Sequence, residues 1–453
     1  MNEAQTTAST VPDGLKRLIR ILGLILIIVG APLIINLLCI LPLVALAGGM
    51  DVVYFGVVSL TLALLTFGAG LAAFLHANRS LNGKPSKPLK FAPTFLLVGV
   101  FLFLIGAGIY IVRSETAAGV LFPPVLLAAA ALPPLWAVAW MIPGAKPSAE
   151  GEAGAADQPS LPAPVAQAQV SWRRGMLAFA GGATVSVFIA IVLEIILPVT
   201  VFALVFNLAE NVSAQMEGIF RALSNRDVAE ALTSRGFIYL FVHVAVIAPL
   251  AEEFAKPLVV LPIVRRLSRR ETFWLGALAG AGFAALENVI YATSGFGFWA
   301  GILTVRALGG GLHPLGAGLV AQGWRDVLRG ETNAWKNWWK RFGIAVAVHA
   351  AWNGGSLLVI TLGGARFFGD LPPEIDILGI SAAGTVLALL LILGLAALWI
   401  GRAYGHDKPF LPSEVGEAET GLAPSERAIA LWAAACLLAI VPAGIAGLKL
   451  WLR

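Results

Sequence analysis

Apolar residues run through this chain in long uninterrupted stretches, and most polar residues gather in the gaps between them. A hydrocarbon layer about 30 Å thick needs roughly 20 apolar residues in a crossing helix. Eleven stretches meet that length, centred on 19–46, 53–76, 91–112, 117–142, 176–207, 237–264, 272–293, 298–323, 342–363, 377–401 and 427–450. Backbone groups in hydrocarbon must bond within their own segment. The predicted fold class is therefore all-α, a polytopic integral membrane protein of about eleven transmembrane helices. The fifth stretch is long enough to tilt, to break near Pro198, or to re-enter.

The gaps divide the chain. Residues 1–142 hold four helices with few charges inside them, and 143–174 read as a disordered linker rich in Ala, Pro, Gly and Glu. Residues 175–403 form a second membrane core, 404–426 a loop, and 427–453 a last crossing helix. No repeat relates the two halves. The 208–235 segment is polar enough to lie outside the membrane, with a short amphipathic helix that could act as a lid or guide. Trp335, Trp338 and Trp339 beside Lys336, Lys340 and Arg341 read as an interfacial anchor.

Composition supports the membrane class: 58% of residues are apolar and 13% charged, against about 25% charged in soluble domains. The net charge of +5 does not imply a nucleic-acid partner, because the bases sit at the ends of apolar runs. They mark orientation instead. Lys16, Arg17 and Arg20 precede the first span, placing the N-terminus in the cytoplasm. The same side receives Arg79, Lys84, Lys87 and Lys90, then Arg173 and Arg174. It also receives Arg265, Arg266, Arg269 and Arg270, and finally Arg325, Arg329, Lys336, Lys340 and Arg341. The loops at 47–52 and 294–297 carry no base. Cys39 and Cys436 lie in apolar runs at opposite ends, which excludes a disulfide framework or cysteine metal site. The first run is too long for a cleavable signal, whose apolar region is about 7–15 residues.

Four neighbouring runs break the apolar rule. They carry Glu252, Glu253 and Lys256; Phe283, Glu287 and Asn288; Arg306 and His313; and His349, Trp352 and Asn353. An ionisable group at bilayer depth costs about 2.5–3.5 kcal/mol on insertion scales, so such groups face a cavity or one another. Glu252 and Lys256 share a helix face, and Glu253 lies about 100° round from Glu252. One carboxylate can thus face a site while the other pairs with Lys256. Phe283 aligns with Glu287, His349 with Asn353, and Arg306 with His313. Pro249 loosens the helix just before the carboxylates. Small residues at Gly276 and Gly280, Gly309 to Gly311, and Gly354 and Gly355 permit close helix approach.

A lone Glu–Lys pair in a span reads as structural, and a lone histidine as a hydrogen-bonded core residue. Glu194 and His243 fit those readings and stay outside the site. Three carboxylates, two histidines and an asparagine on adjacent spans do not, and they predict a polar catalytic cavity in the C-terminal core. Absences narrow its chemistry: no Asp lies in a predicted span, no His-Glu-x-x-His occurs, and no Gly-x-Ser-x-Gly turn or core cysteine offers a nucleophile. Carboxylate and imidazole chemistry on water remains, with or without a metal.

These residues resemble the PrsW family of intramembrane proteases, itself similar to CAAX prenyl proteases and bacteriocin-processing enzymes. The resemblance rests on Glu252-Glu253-x-x-Lys256, Phe283-x-x-x-Glu287-Asn288, His313 downstream of Arg306, and His349-x-x-Trp352-Asn353, roughly over 237–363. The family usually has Gly four after its lone histidine; here Ala317 stands there, between Gly316 and Gly318. The resemblance implies hydrolysis of a peptide bond in a membrane-anchored protein or peptide, in a bacterial inner membrane. It implies that Glu252 or Glu253 activates water, with Glu287 and His313 completing the base or metal shell. His349 and Asn353 would stabilise the oxyanion or bind metal. A tentative zinc (Zn2+) set is His313, His349 and Glu253, with Lys256, Phe283, Asn288, Arg306 and Trp352 in support. An ion- or proton-coupled transporter would use the same buried cluster, but predicts inverted repeats that the sequence lacks.

Overall fold

Proline and glycine decide where this helical chain departs from straight rods. The computed structural model describes residues 13–45, 50–142, 170–194, 232–364 and 373–406. Among the described residues nine helices are long and apolar enough to cross a membrane. They are α1 (Asp13–Leu43), α2 (Asp51–Leu81), α3 (Thr94–Ile111), α4 (Glu115–Met141), α5 (Trp172–Glu194), α6 (Arg235–Val264) and α7 (Arg269–Ser294). After α8 (Trp299–Leu308) and α9 (Leu312–Leu328), the other two crossing helices lie within α10 (Ala334–Gly364) and α11 (Pro373–Gly405).

The eighth predicted span, 298–323, is therefore two helices rather than one. Gly309, Gly310 and Gly311 separate them, and glycine interrupts a helix at about 1 kcal/mol per residue relative to alanine. Trp352 packs over the break, where a Cβ on Gly309 would meet its ring at 2.5 Å. The eleventh predicted span and most of the 404–426 loop lie outside the described residues. So do most of the 143–174 linker, the 208–235 segment up to residue 231, and the fifth span beyond Glu194.

α7 is the central rod of the second half, and it starts where the sequence stops it from starting earlier. Ser268 and Glu271 form a reciprocal capping box that satisfies two otherwise free backbone donors. Most of α7 is buried, between α9 on one side and α4, α5 and the later part of α6 on others. Its approach to α9 is backbone-close: a Cβ on Gly280 would collide with the His313 carbonyl, and Ala317 packs beside it. Gly280 thus supplies the space that a glycine at 317 would otherwise give, which accounts for Ala317.

The N-terminal helices are not a separate body. Val53, Val57, Phe101, Phe122 and Leu126 share one core with Val289, Trp299 and Leu303 of α7 and α8. On the base-rich side, residues 87–89 pair with 170–172 in a short antiparallel contact, with Leu89 N–H donating to Val170 at 2.8 Å and Trp172 N–H to Lys87 at 2.8 Å.

Candidate active site

α6 is built to present polar groups. It passes from a π-helical turn (His243–Ile247) through an α segment (Ala248–Ala255) to a 3-10 turn (Lys256–Val260). Pro249 has no N–H to give, so in the π register the Val244 carbonyl lacks its helix partner. Asn353 of α10 supplies one, its Nδ2 donating at 3.1 Å. The α segment carries Glu252 and Glu253, about 18 Å along the helix from its base-rich end, and so well inside a bilayer.

Lys256 is fully buried and sits between both carboxylates. Its Nζ lies 2.6 Å from Glu253 Oε1 and 3.0 Å from Glu252 Oε2, with the Phe283 ring 4.5 Å away. The predicted division of labour, one carboxylate on the lysine and one free, is thus only half observed. Glu253 makes the hydrogen bond to Lys256, whereas Glu252 Oε2 is close to it but not aligned for one.

The two histidines arrive from α9 and α10, their rings 4.8 Å apart edge to face. His349 Nδ1 is 2.9 Å from Glu253 Oε1, so its Nε2 points the other way, 3.7 Å from Glu252 Oε2. His313 Nε2 is 3.2 Å from Glu287 Oε2, leaving its Nδ1 4.0 Å from Glu252 Oε2. Its ring stacks near Phe283. Arg306, at the end of α8, pairs with Glu287 at 2.7 Å, donates to Asn288 Oδ1, and lies over the Tyr291 ring.

The structure therefore brings together Glu252, Glu253, Lys256, Phe283, Glu287, Asn288, Arg306, His313 and His349. Asn353 and Trp352 stand beside the cluster. Among the described contacts the Asn353 amide joins the Val244 carbonyl rather than the carboxylates, and Trp352 packs on the α8–α9 break. His243 stacks on Tyr239 and stays apart. Glu194 differs from its sequence reading: it is near enough to Glu287 and Lys256 to feel both charges. The signal was available, since Val187 and Ala190 of the same helix share a cluster with Ala255 and Phe283, and Glu194 follows them on that face.

Five atoms in the cluster are buried without a hydrogen-bond partner, Glu252 Oε2, Glu253 Oε2, Glu287 Oε2, His313 Nδ1 and His349 Nε2, and those of Glu252, His313 and His349 face one another. One ligand atom from each of these three residues lies within 4.8 Å of the others. Among the described residues, the three carboxylates of the cluster, with Glu194 nearby, pair with two cations, Lys256 and Arg306, so a divalent ion would offset a buried negative excess. The donor chemistry fits as well: two imidazoles and a carboxylate form a common three-ligand zinc set with one open position. Glu253, expected as a ligand, instead holds the far nitrogen of His349, as carboxylates behind metal-bound histidines do.

No curated protein and no solved structure matches this chain. Residues 170–392, just under half of the chain, match the family model described as PrsW family intramembrane metalloprotease, and every side chain of the cluster lies in that stretch.

Proposed function

We propose that the protein hydrolyses a peptide bond of a membrane-anchored protein or peptide, using the cavity between α6, α7, α9 and α10. The observation that carries this reading is the convergence of three unpartnered ligand atoms, from Glu252, His313 and His349, at bilayer depth. These residues would hold a zinc ion. Bound there, it would acidify a water and polarise a carbonyl.

The remaining side chains prepare the cavity. Glu253 accepts from His349 Nδ1–H and so turns Nε2 toward the gap, while Lys256 neutralises Glu253. Glu287, with Arg306 as its counter-ion, puts its negative charge 3.2 Å from His313 Nε2 without an aligned hydrogen bond, and so favours a proton on that nitrogen by charge. Glu252 is the one carboxylate with no imidazole of its own to orient, and its other oxygen is our assignment for the acceptor of the proton from attacking water. Asn353 braces the opened turn of α6 rather than donating to an oxyanion. The Lys and Arg distribution supports an N-terminus on the cytoplasmic side, and our reading of the membrane as a bacterial inner membrane follows the family resemblance.

Purified protein in liposomes, mixed with a pool of single-span peptides, tests this. Wild type should contain zinc by elemental analysis, lose cleavage to a chelator, and regain it with zinc. Glu252→Gln should lower turnover by about 10²–10⁴-fold, the range for a lost general base. Full cleavage by both Glu252→Gln and Glu253→Gln would sink the protease reading, and metal-free protein with full cleavage would sink the metal.

A further inference from the structure

The prolines of α4 leave a mark on the cavity. Pro134 has no N–H, so the carbonyl of Ala130, four residues earlier, has no helix partner. A carbonyl in that state at bilayer depth must find a donor from another segment. It finds Asn288 of α7, whose Nδ2 donates to it at 2.9 Å. Asn288 is buried, and its other polar atom, Oδ1, accepts from Arg306 Nε. A second nitrogen of that guanidinium pairs with Glu287 at 2.7 Å. The same Glu287 oxygen lies 3.2 Å from His313 Nε2. Two hydrogen bonds and then two close charged contacts, neither aligned as a hydrogen bond at the Glu287 oxygen, thus run from α4 to the imidazole.

We propose that Asn288 is a positioning residue through which the N-terminal helices fix the orientation and tautomer of His313. The amide can face only one way: its nitrogen must meet the Ala130 carbonyl, and its oxygen must then meet Arg306. That fixes the guanidinium, and the guanidinium fixes Glu287 between itself and the ring. A carboxylate oxygen 3.2 Å from Nε2 favours the proton there and opposes a lone pair there, so Nδ1 is left bare toward Glu252 and His349. The first four helices are then part of the catalytic unit rather than an appendage to it. Residues 170–392 contain His313, Glu287 and Asn288 but not the carbonyl that orients them. The proposal rests on the assignment of Glu287 and His313 to the site, but its primary test needs no substrate.

Protein labelled with ¹⁵N-histidine and reconstituted in lipid reports imidazole tautomers by solid-state NMR at one neutral pH, with His313→Gln identifying the signal. The wild type should show His313 protonated at Nε2 only, whether Nδ1 is free or coordinated. Asn288→Leu removes both contacts at similar volume and should give a mixture of tautomers. Pro134→Ala, which restores an N–H for Ala130 and favours a continuous helix, should give the same mixture to a smaller extent and decides the matter if Asn288→Leu does not fold. Phe122→Leu loosens the same interface without touching the four contacts and should leave the tautomer unchanged. A single Nε2–H signal in every folded Asn288 and Pro134 variant would overturn the proposal, as would an equal change in Phe122→Leu. Where peptide cleavage is measured, Asn288→Leu should lower kcat about 10–100-fold, the cost typical of a lost outer-shell partner, with KM little changed. Absence of cleavage in wild type would count against the protease reading and leave the tautomer result standing.

Discussion

At the scale of single residues, Lys256 decides whether the buried polar cluster can exist. It is fully buried with two carboxylates at 2.6 and 3.0 Å, and removing one partner of such a group leaves uncompensated charge costing about 3–5 kcal/mol. Lys256→Met should therefore lower thermal stability in detergent sharply, while the double change Lys256→Met with Glu253→Gln should recover part of the loss. Glu253→Gln alone should reduce folded yield more than Glu252→Gln, because Glu253 makes aligned contacts to both Lys256 and His349. Equal yields for the two would contradict that ranking. The sequence spacing put one carboxylate on the lysine face. Positions three and four before a lysine both border that face, and so the lysine reaches both.

At the scale of elements, two devices shape the site. Prolines open carbonyls that asparagines on neighbouring helices close, and glycines let α7 and α9 touch. The second gives a sharp test at Gly280, where a Cβ would strike the His313 backbone. Gly280→Val should cost about 3 kcal/mol, the upper end typical of overpacking, and, at the metal site proposed above, should weaken zinc retention because His313 is carried outward with α9. Gly297 has open space around it, so Gly297→Ala serves as the neutral control. A Gly280→Val protein with wild-type melting and wild-type zinc would show that α9 tolerates the shift. The small-residue spacing at 276 and 280 was legible as close packing. The break at Gly309 to Gly311 is not legible in the sequence, because an apolar run of the right length looks like a single span, and only packing puts Trp352 over the break.

At the scale of the whole molecule, the base-rich ends of α7, α9 and α10 are tied by one acidic knot. Asp326, just past the predicted end of the eighth span, lies 2.6 Å from Arg341, 3.3 Å from Arg269 and 3.2 Å from Arg325. Burial alone would push its carboxyl up, but the Arg341 hydrogen bond and the three guanidinium charges outweigh it, holding the group below its ordinary value. A depressed carboxylate stabilises the fold above its unfolded value near ~3.9 and loses that contribution as pH falls through the folded one. The stability gap between wild type and Asp326→Asn should hence be full at neutral pH and shrink below about pH 4; a gap that widens in acid would reverse the sign. The arginine side is also our cytoplasmic side. In a background lacking Cys39 and Cys436, Gly297→Cys should react with an impermeant maleimide from outside and Lys336→Cys should not.

The sequence by itself determined the class, most of the spans, and the residues that meet. Hydrocarbon makes every unpaired polar group expensive, so seven ionisable groups on four adjacent spans had little choice but to converge, and they did. What it could not determine was which atom faces which. That Glu252 rather than Glu253 shares the gap with His313 and His349 depends on the pitch of α6, where a π turn and a 3-10 turn rotate the helix by amounts no residue spacing reports. That Asn353 serves a backbone carbonyl while Asn288 links two helix groups depends on which prolines stand opposite them. Neither proline is near its asparagine in the chain, since Ala130 and Asn288 are 158 residues apart and Val244 and Asn353 are 109 apart. Only tertiary packing brings a freed carbonyl to the amide that needs it.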